Sequence, residues 1–449
     1  MSRTWVFVSV VVGAFVSCVS PSRAQVNIPI FGPNLRSYPV AVSPLRNLSQ
    51  GTPSDVGTRF ADIVSRDLTI AGYFKVIDRA AYIEKPEASG YTAEASAEGG
   101  IPPINFDSWS VIGALALVKG AYTVEGDNVS VEVRLFDVFQ RKLLYGRKYR
   151  GPATEIRRMA NKFADEIMKQ FTGERGPFDS RLAFVSTRDS ARNGRLSEIY
   201  VTSVDEGDLK QLTMGQTVAK SPSWNPDNRS LLYTSFKRHN PDLFSIDLLG
   251  GRETLISQRP GLNLGGKWSP DGSLIALTVE DNGNSDIVLL DRTGKLVRRL
   301  TDNWAIDVSS SWSPDGRQIA FCSNRGGTPQ IYVMSADGGA ARRVTFTGNN
   351  NTAPAWSPKG DVIAYVSRLD GGFNLFTVKV DGSDVHQLTQ GAGDNEDPSW
   401  APDGRYIVFT SSRSGRKKLF VTDAAGASQV QLTHGGGDDT SPAWSRWLE

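Results

Sequence analysis

The sequence predicts an α/β N-terminal domain followed by an all-β six-bladed propeller closed by the C-terminal strand. Three observations carry that expectation. A Trp-turn motif returns with a 44-residue period, four short apolar segments fill each period, and the first third of the chain lacks the repeat. "WNPD" starts at Trp224, "WSPD" at Trp268 and Trp312, "WSPK" at Trp356, "WAPD" at Trp400 and "WSRW" at Trp444. Sets of short strands at a fixed spacing are the signature of propeller blades.

Each unit has the same internal order. Behind the turn runs a segment such as "IAFCS" (319–323), then "QIYVM" (330–334), then an ending such as "RVT" (343–345). Their alternation suits strands rather than helices. The blade that carries Trp224 departs at the ending, with "TLIS". The Trp is a natural wedge between neighbouring blades, and Pro-Asp-Gly is turn chemistry. The segment "LAFVSTR" (182–188) opens a unit without a Trp turn, and "SPAWSRWL" (441–448) is a Trp segment without the rest of its unit. The two fragments complete each other, so six units close a ring and remove the free edges of an open array.

The repeat-free part divides further. Residues 1–24 read as a secretory signal peptide: "MSR", then the apolar run "WVFVSVVVGAFV", then Ser22-Arg23-Ala24 in small-x-small form. The run is too short for a comfortable membrane span. A rival reading is a lipoprotein signal acylated on Cys18. Cleavage after Ala24 leaves Cys322 alone, so no intrachain disulfide forms, and its apolar setting predicts a buried, inert thiol. Residues 25–37 form a mobile segment, 38–175 the α/β domain and 176–449 the propeller. Within 38–175, strands are expected at 38–45, 73–78, 128–138 and 142–151. Helices are expected at 54–72, with Phe60, Ile63, Val64 and Leu68 inward, and at 153–173, with Ile156, Met159, Ala160, Phe163 and Ile167 inward. The stretch 109–126 opens as a helical turn and continues as a strand, and 84–105 is polar surface loop.

Composition narrows the function. Of 449 residues, 39% are hydrophobic, enough for real cores, and the net charge of +2 with no long basic run argues against nucleic acid. Three histidines, His239, His386 and His434, disfavour a His-rich metal site. No Gly-rich phosphate loop follows a strand in the first domain, and neither HExxH nor GxSxG occurs there.

Five residues before each Trp stand Ala219, Asn263, Asp307, Asn351, Asn395 and Asp439. Superposed, they ring one mouth of the central channel. Asp394, Glu396, Asp397 and Asp438 add acid to the same loops. Two readings stay open: a field that steers a basic partner, or loop caps that bind water. Calcium suits clustered carboxylates, but the spacing matches no calcium loop, and no metal or cofactor is expected. Asp307 and Asp439 are the candidates for an acid–base pair, yet no His, Tyr or Arg stands in the ring to share that work. A propeller enzyme and a small-ligand sensor using the channel mouth are therefore the alternatives to a docking module.

The stretches "FADIVSRDLTIAGYFKVIDRAAY", "IGALALVKGAYTVEGDNVSVEVRLFDVFQRKLLYGRKYRG" and "IRRMANKFADEIMKQFTGERGPFDSRLAFVS", with the six propeller registers, resemble the TolB family of the Tol–Pal envelope system. The likeness covers nearly the whole mature chain. It implies a non-enzymatic periplasmic docking protein that links inner-membrane Tol proteins to the outer-membrane lipoprotein Pal, in support of envelope integrity and outer-membrane constriction during division. It implies a TolA-like partner for Gln25, Val26, Asn27, Ile28 and Ile30, whose alternation offers an apolar edge, although Pro29 and Pro33 limit strand pairing. Read from the residues alone, that segment is equally an ordinary frayed terminus. It also implies a Pal-like partner at Leu262, Gly265, Val308 and Ser309, beside the ring residues. Other outer-membrane lipoproteins are further partners, and no direct membrane span is expected.

Asp315, Ser323 and Arg325 look like catalytic names, but Asp315 recurs in register as Asp227, Asp271 and Asp403, and Ser323 as Ser186, Ser235, Ser367 and Ser411. Chemistry needs one special copy, whereas a ring needs the same solution in every blade. Function is expected in the variable loop "TDNWAIDVSS" (301–310) and in the N-terminus.

Overall fold

A computed structural model describes residues 37–49, 54–85, 103–190, 196–215, 217–281, 283–369, 371–391 and 393–449. The α/β domain is one mixed sheet backed by two helices. Its strands are β1 (Tyr38–Val42), β2 (Arg46–Asn47), β3 (Phe74–Val76), β4 (Ala116–Glu125), β5 (Asn128–Asp137) and β6 (Lys142–Pro152), in the order β3-β1-β4-β5-β6 with β2 also on β4. β1 runs parallel to both neighbours, and β4 to β6 are antiparallel.

Helix α1 (Val56–Ala71) buries Phe60, Ile63, Val64 and Leu68. It ends at Gly72, whose φ of 75° is the left-handed C-cap that glycine tolerates best. The last helix, Ile156–Thr172, buries Ile156, Met159, Ala160, Phe163 and Ile167 and stops at Gly173 in the same way. Two expectations shift. The strand read at 38–45 breaks after Val42 at Ser43-Pro44, because Pro44 has no N–H for the ladder. The helical turn expected from 109 begins earlier, at Phe106, and the strand behind it starts at Ala116.

The repeats form six four-stranded antiparallel sheets. The last sheet joins the C-terminal strand Asp439–Trp444 to Arg181–Ser186, with Trp444 opposite Leu182 and Asp439 opposite Ser186. The tryptophans wedge the blades as expected. Trp312 Nε1 donates to Lys267 O (3.0 Å), Trp400 Nε1 to Ala355 O (2.9 Å) and Trp224 Nε1 to Ala443 O (2.9 Å). Each bond ties one blade to the innermost strand of the blade before it, and the last of the three crosses the closure. In the turn behind Trp312, Asp315 accepts from Ser313 Oγ (2.6 Å) and Arg317 N (3.1 Å).

The two domains share one apolar core. Phe60, Phe163 and Phe171 lie in the same cluster as Phe178, Leu182, Phe184, Ala401 and Tyr406. Tyr406 Oη donates to Ala71 O (3.0 Å), and its ring meets Tyr73 edge-on at 6.4 Å. The linker is fixed by buried Asp165, which accepts from Phe178 N (2.7 Å), Asp179 N (3.2 Å) and Arg175 Nε (3.2 Å). Burial of an apolar seam together with satisfied polar groups makes the two domains a single packed body.

Candidate functional site

The innermost strands begin at one mouth of the channel and end at the Trp turns. Each strand bulges at its third residue, where φ is positive: Ser221 (54°), Gly265 (66°), Ser309 (59°), Ala353 (50°), Asp397 (53°) and Ser441 (50°). The pairing register shifts there in all six blades. A bulge re-aims neighbouring side chains, and here it accompanies inward-turned side chains at the first residue.

The ring predicted at this mouth exists but faces inward. Asn263, Asp307, Asn351, Asn395 and Asp439 are each 0% exposed. Asp307 accepts two bonds from Arg325 Nη2 and one from Asn303 Nδ2 (2.8 Å). Asp439 accepts from Ser186 Oγ (2.6 Å), Arg188 Nη2 (3.0 Å) and Lys418 Nζ (2.8 Å). Asn395 Oδ1 accepts from Ser411 Oγ and Arg413 Nη2, both at 2.8 Å. Asn263 Oδ1 accepts from Ser257 Oγ (2.7 Å), and Asn351 Nδ2 donates to Gln330 Oε1 (2.8 Å). These side chains cap the loops from within.

Arginine is therefore present at this ring, contrary to the sequence expectation. It arrives from the loop after the second strand, where Ser-x-Arg recurs as 186–188, 323–325 and 411–413. That triplet was the missed signal. Each guanidinium also lies over an aromatic pair: Arg188 over Phe184 and Tyr200, Arg325 over Phe321 and Tyr332, Arg413 over Phe409 and Phe420. Cation–π contact and a buried carboxylate hold the arginine from two sides. With their charges paired and buried, Asp307 and Asp439 present little field to a partner.

What faces solvent at the mouth is different. Leu262, Gly265 and Val308 are half-buried and Ser309 is exposed. Beside them Trp304 is 74% and Ile306 50% exposed, on a loop anchored by buried Ala305 and by Ile306 N donating to Asn324 Oδ1 (2.8 Å). Across the mouth, Asp394, Glu396 and Asp438 are half-buried, and Glu396 pairs with Lys417 at 2.6 Å. The face thus has an apolar sector on the second and third blades and an acidic sector on the fifth and sixth. Among the described residues no group of three His, Cys, Asp or Glu side chains is placed to hold a metal ion. No helix among them is long and apolar enough to cross a membrane.

The family described as "TolB beta propeller domain" matches residues 168–448, and "TolB amino-terminal domain" matches 26–144. The chain belongs to the TolB family. Membership puts its working compartment in the periplasm. It is 38% identical over 237 residues to the Tol-Pal system protein TolB of Desulfosudis oleivorans, covering 52% of this chain and 51% of that one. The corresponding protein of Syntrophotalea carbinolica is 37% identical over 216 residues, covering 48% of this chain and 47% of its own length. The chain therefore spans about half the length of the curated relatives it matches. The crystal structure of TolB from Acinetobacter baumannii superposes with a TM-score of 0.79 at 27% identity, over 92% of this chain and 97% of that one. The segment expected to meet a TolA-like partner, Gln25, Val26, Asn27, Ile28 and Ile30, and the expected leader 1–24 lie outside the described residues.

Proposed function

We propose that this TolB-family chain is a non-enzymatic docking module of the Tol–Pal system. Its propeller mouth receives a Pal-like lipoprotein, and its segment 25–36 engages a TolA-like inner-membrane protein. The observation that carries the reading is the exposure of Trp304 and Ile306 beside Val308 and Ser309. A large aromatic held out on an anchored loop, next to apolar neighbours, has the composition of an interface hot spot. The carboxylates that would serve chemistry at the same mouth, Asp307 and Asp439, are consumed by internal bonds. The family's presence in Tol–Pal systems, printed in the names of both curated relatives, supports the partner class.

The ring residues Asn263, Asp307, Asn351, Asn395 and Asp439 act in this reading as positioning residues. They hold Leu262, Gly265, Val308 and Ser309 in place rather than touching the partner. The packed seam between the domains makes the molecule a rigid body with two contact regions, so binding at one couples to the other through segment 25–36. Calorimetry with purified Pal-like and TolA-like domains tests this. Deleting 25–36 is expected to weaken TolA binding and to change Pal affinity. Unchanged affinities for both partners would remove the coupling.

A further inference from the structure

The bore of the propeller breaks its own repeat at two places. The fifth residue of the innermost strands reads Ser223, Lys267, Ser311, Ala355, Ser399 and Ala443. The third reads Ser221, Gly265, Ser309, Ala353, Asp397 and Ser441. Each ring holds five small residues and one charged one. Folding is served by a small residue in five blades, and drawing a lysine partly out of water in the sixth carries a desolvation cost. Lys267 and Asp397 stand three blades apart in a ring of six, on opposite walls.

All six fifth-position residues line a cavity of about 1290 Å³ that opens at the Trp-turn end, away from the mouth described above. The six blade tryptophans line the same cavity, with Pro226, Pro270, Pro314, Pro358 and Pro402 from the turns. Arg158, Arg175, Arg181, Arg229 and Arg446 stand around it. At its inner end the Lys267 ammonium makes no hydrogen bond and no ion pair among the described residues. Asp397 does not line the cavity, and its Oδ2 accepts from Ser441 N and Oγ, both at 3.2 Å. Burial pulls the lysine pKa down, and the field of Asp397 opposes that shift. The half-buried lysine is thus a donor with no acceptor among the described residues, at the end of a funnel whose rim is mixed in charge, its arginines largely bonded already (Arg158 and Arg175 to Asp179, Arg446 to Pro270 O) beside Glu155, Asp227 and Glu449.

We propose that this cavity binds the terminal carboxylate of a slender, extended chain, a peptide C-terminus, with the Lys267 ammonium as its receptor. A lone cation matches a monoanion, and the opposing Asp397 disfavours a dianion such as phosphate. The volume is far larger than an ion needs, and tryptophan and proline walls suit an extended peptide backbone. This site is independent of docking at the mouth.

The test uses the purified protein, lysine-labelled for NMR, titrated with the tripeptide Ala-Pro-Ala as free acid, with its C-terminal amide, and with inorganic phosphate. The free acid is expected to shift the Lys267 signal and to bind about 10-fold or more tightly than the amide. Lys267→Ser restores the residue found in the first, third and fifth blades, so it keeps the scaffold. It is expected to leave the thermal transition in place and to reduce binding of the acid to the level of the amide. Asp397→Asn removes a like charge and is expected to tighten binding. Equal binding of acid and amide, unchanged binding in Lys267→Ser, weaker binding in Asp397→Asn, or no binding at millimolar peptide would each overturn the proposal. Phosphate binding as tightly as the peptide acid would overturn the assignment to carboxylate.

Discussion

The guanidinium of Arg325 donates from Nη2 to both carboxylate oxygens of Asp307, at 3.1 and 2.9 Å, while lying 5.2 Å from the ring centroids of Phe321 and Tyr332. The carboxylate is 0% exposed and the arginine side chain 26%. Removing the arginine strands a buried charge. Arg325→Ala is therefore expected to cost about 2–4 kcal/mol, below the upper range for a wholly buried pair because one partner is partly solvated. Asp307→Asn is expected to cost about 1 kcal/mol or less, since Asn395 already accepts from Arg413 in the equivalent place. Urea unfolding measures both. Equal costs for the two variants would contradict the cap.

That pair also marks where sequence reading stopped. The 44-residue register was legible because every blade must solve the same wedge and turn, so Trp312 and Asp315 repeat in the chain as they repeat in space. The caps were not legible as caps. Asp307 and Arg325 are 18 residues apart, and Asp439 and Arg188 are 251 apart across the closure. In the sequence, a polar residue at the very start of a strand looks like exposed loop. Its burial follows from the bulge at the third residue and from the loop that folds over it, and neither is visible in a single blade's sequence. The alignment of rings singled out the residues that open the innermost strands, and it marked 301–310 as the variable loop before one of them. The exposure of Trp304 within that loop needed coordinates, because Ala305, its neighbour, is wholly buried.

Trp304 supplies the most direct test of the docking face. Trp304→Ala is expected to weaken binding of a purified Pal-like domain by about 2 kcal/mol, the scale of an interface hot spot. It is expected to leave unfolding within about 0.5 kcal/mol, because the side chain is mostly in water already. Surface plasmon resonance and urea unfolding on the same preparation separate the two effects. Unchanged affinity would move the partner surface off this loop.

Cys322 tests the interior. Its thiol is 4% exposed, contacts Asn351 O at 3.5 Å, and burial pushes its pKa up to about 12. At pH 8 the thiolate fraction is then about 10⁻⁴, and solvent access is closed as well. The native protein is expected to resist a thiol-specific disulfide reagent for as long as it stays folded, and to react once in urea. Rapid labelling of the native protein would show that the third blade opens locally against its neighbour.

Asp67 gives the protein a pH dependence of a definite sign. It lies on α1, is 0% exposed, and both carboxylate oxygens lack a hydrogen-bond partner among the described residues. Burial first, then Asp205 of the propeller and Asp165 of the last helix, push its pKa well above the ordinary value, against the weaker opposition of Arg157 and Arg66. The folded state therefore holds a proton that the unfolded chain releases near pH 4. Below that pH both states are protonated and the group contributes nothing to the dependence. Above it, each pH unit lowers stability by about 1.4 kcal/mol until the folded pKa is passed. Asp67→Asn cannot release a proton, so this component vanishes. Its stability relative to the original chain is expected to rise as pH climbs above 4 and to level off once the raised folded pKa is passed, read by urea unfolding at stepped pH. Parallel pH profiles for the two proteins would mean that Asp67 is charged in the fold, with Arg157 holding it so.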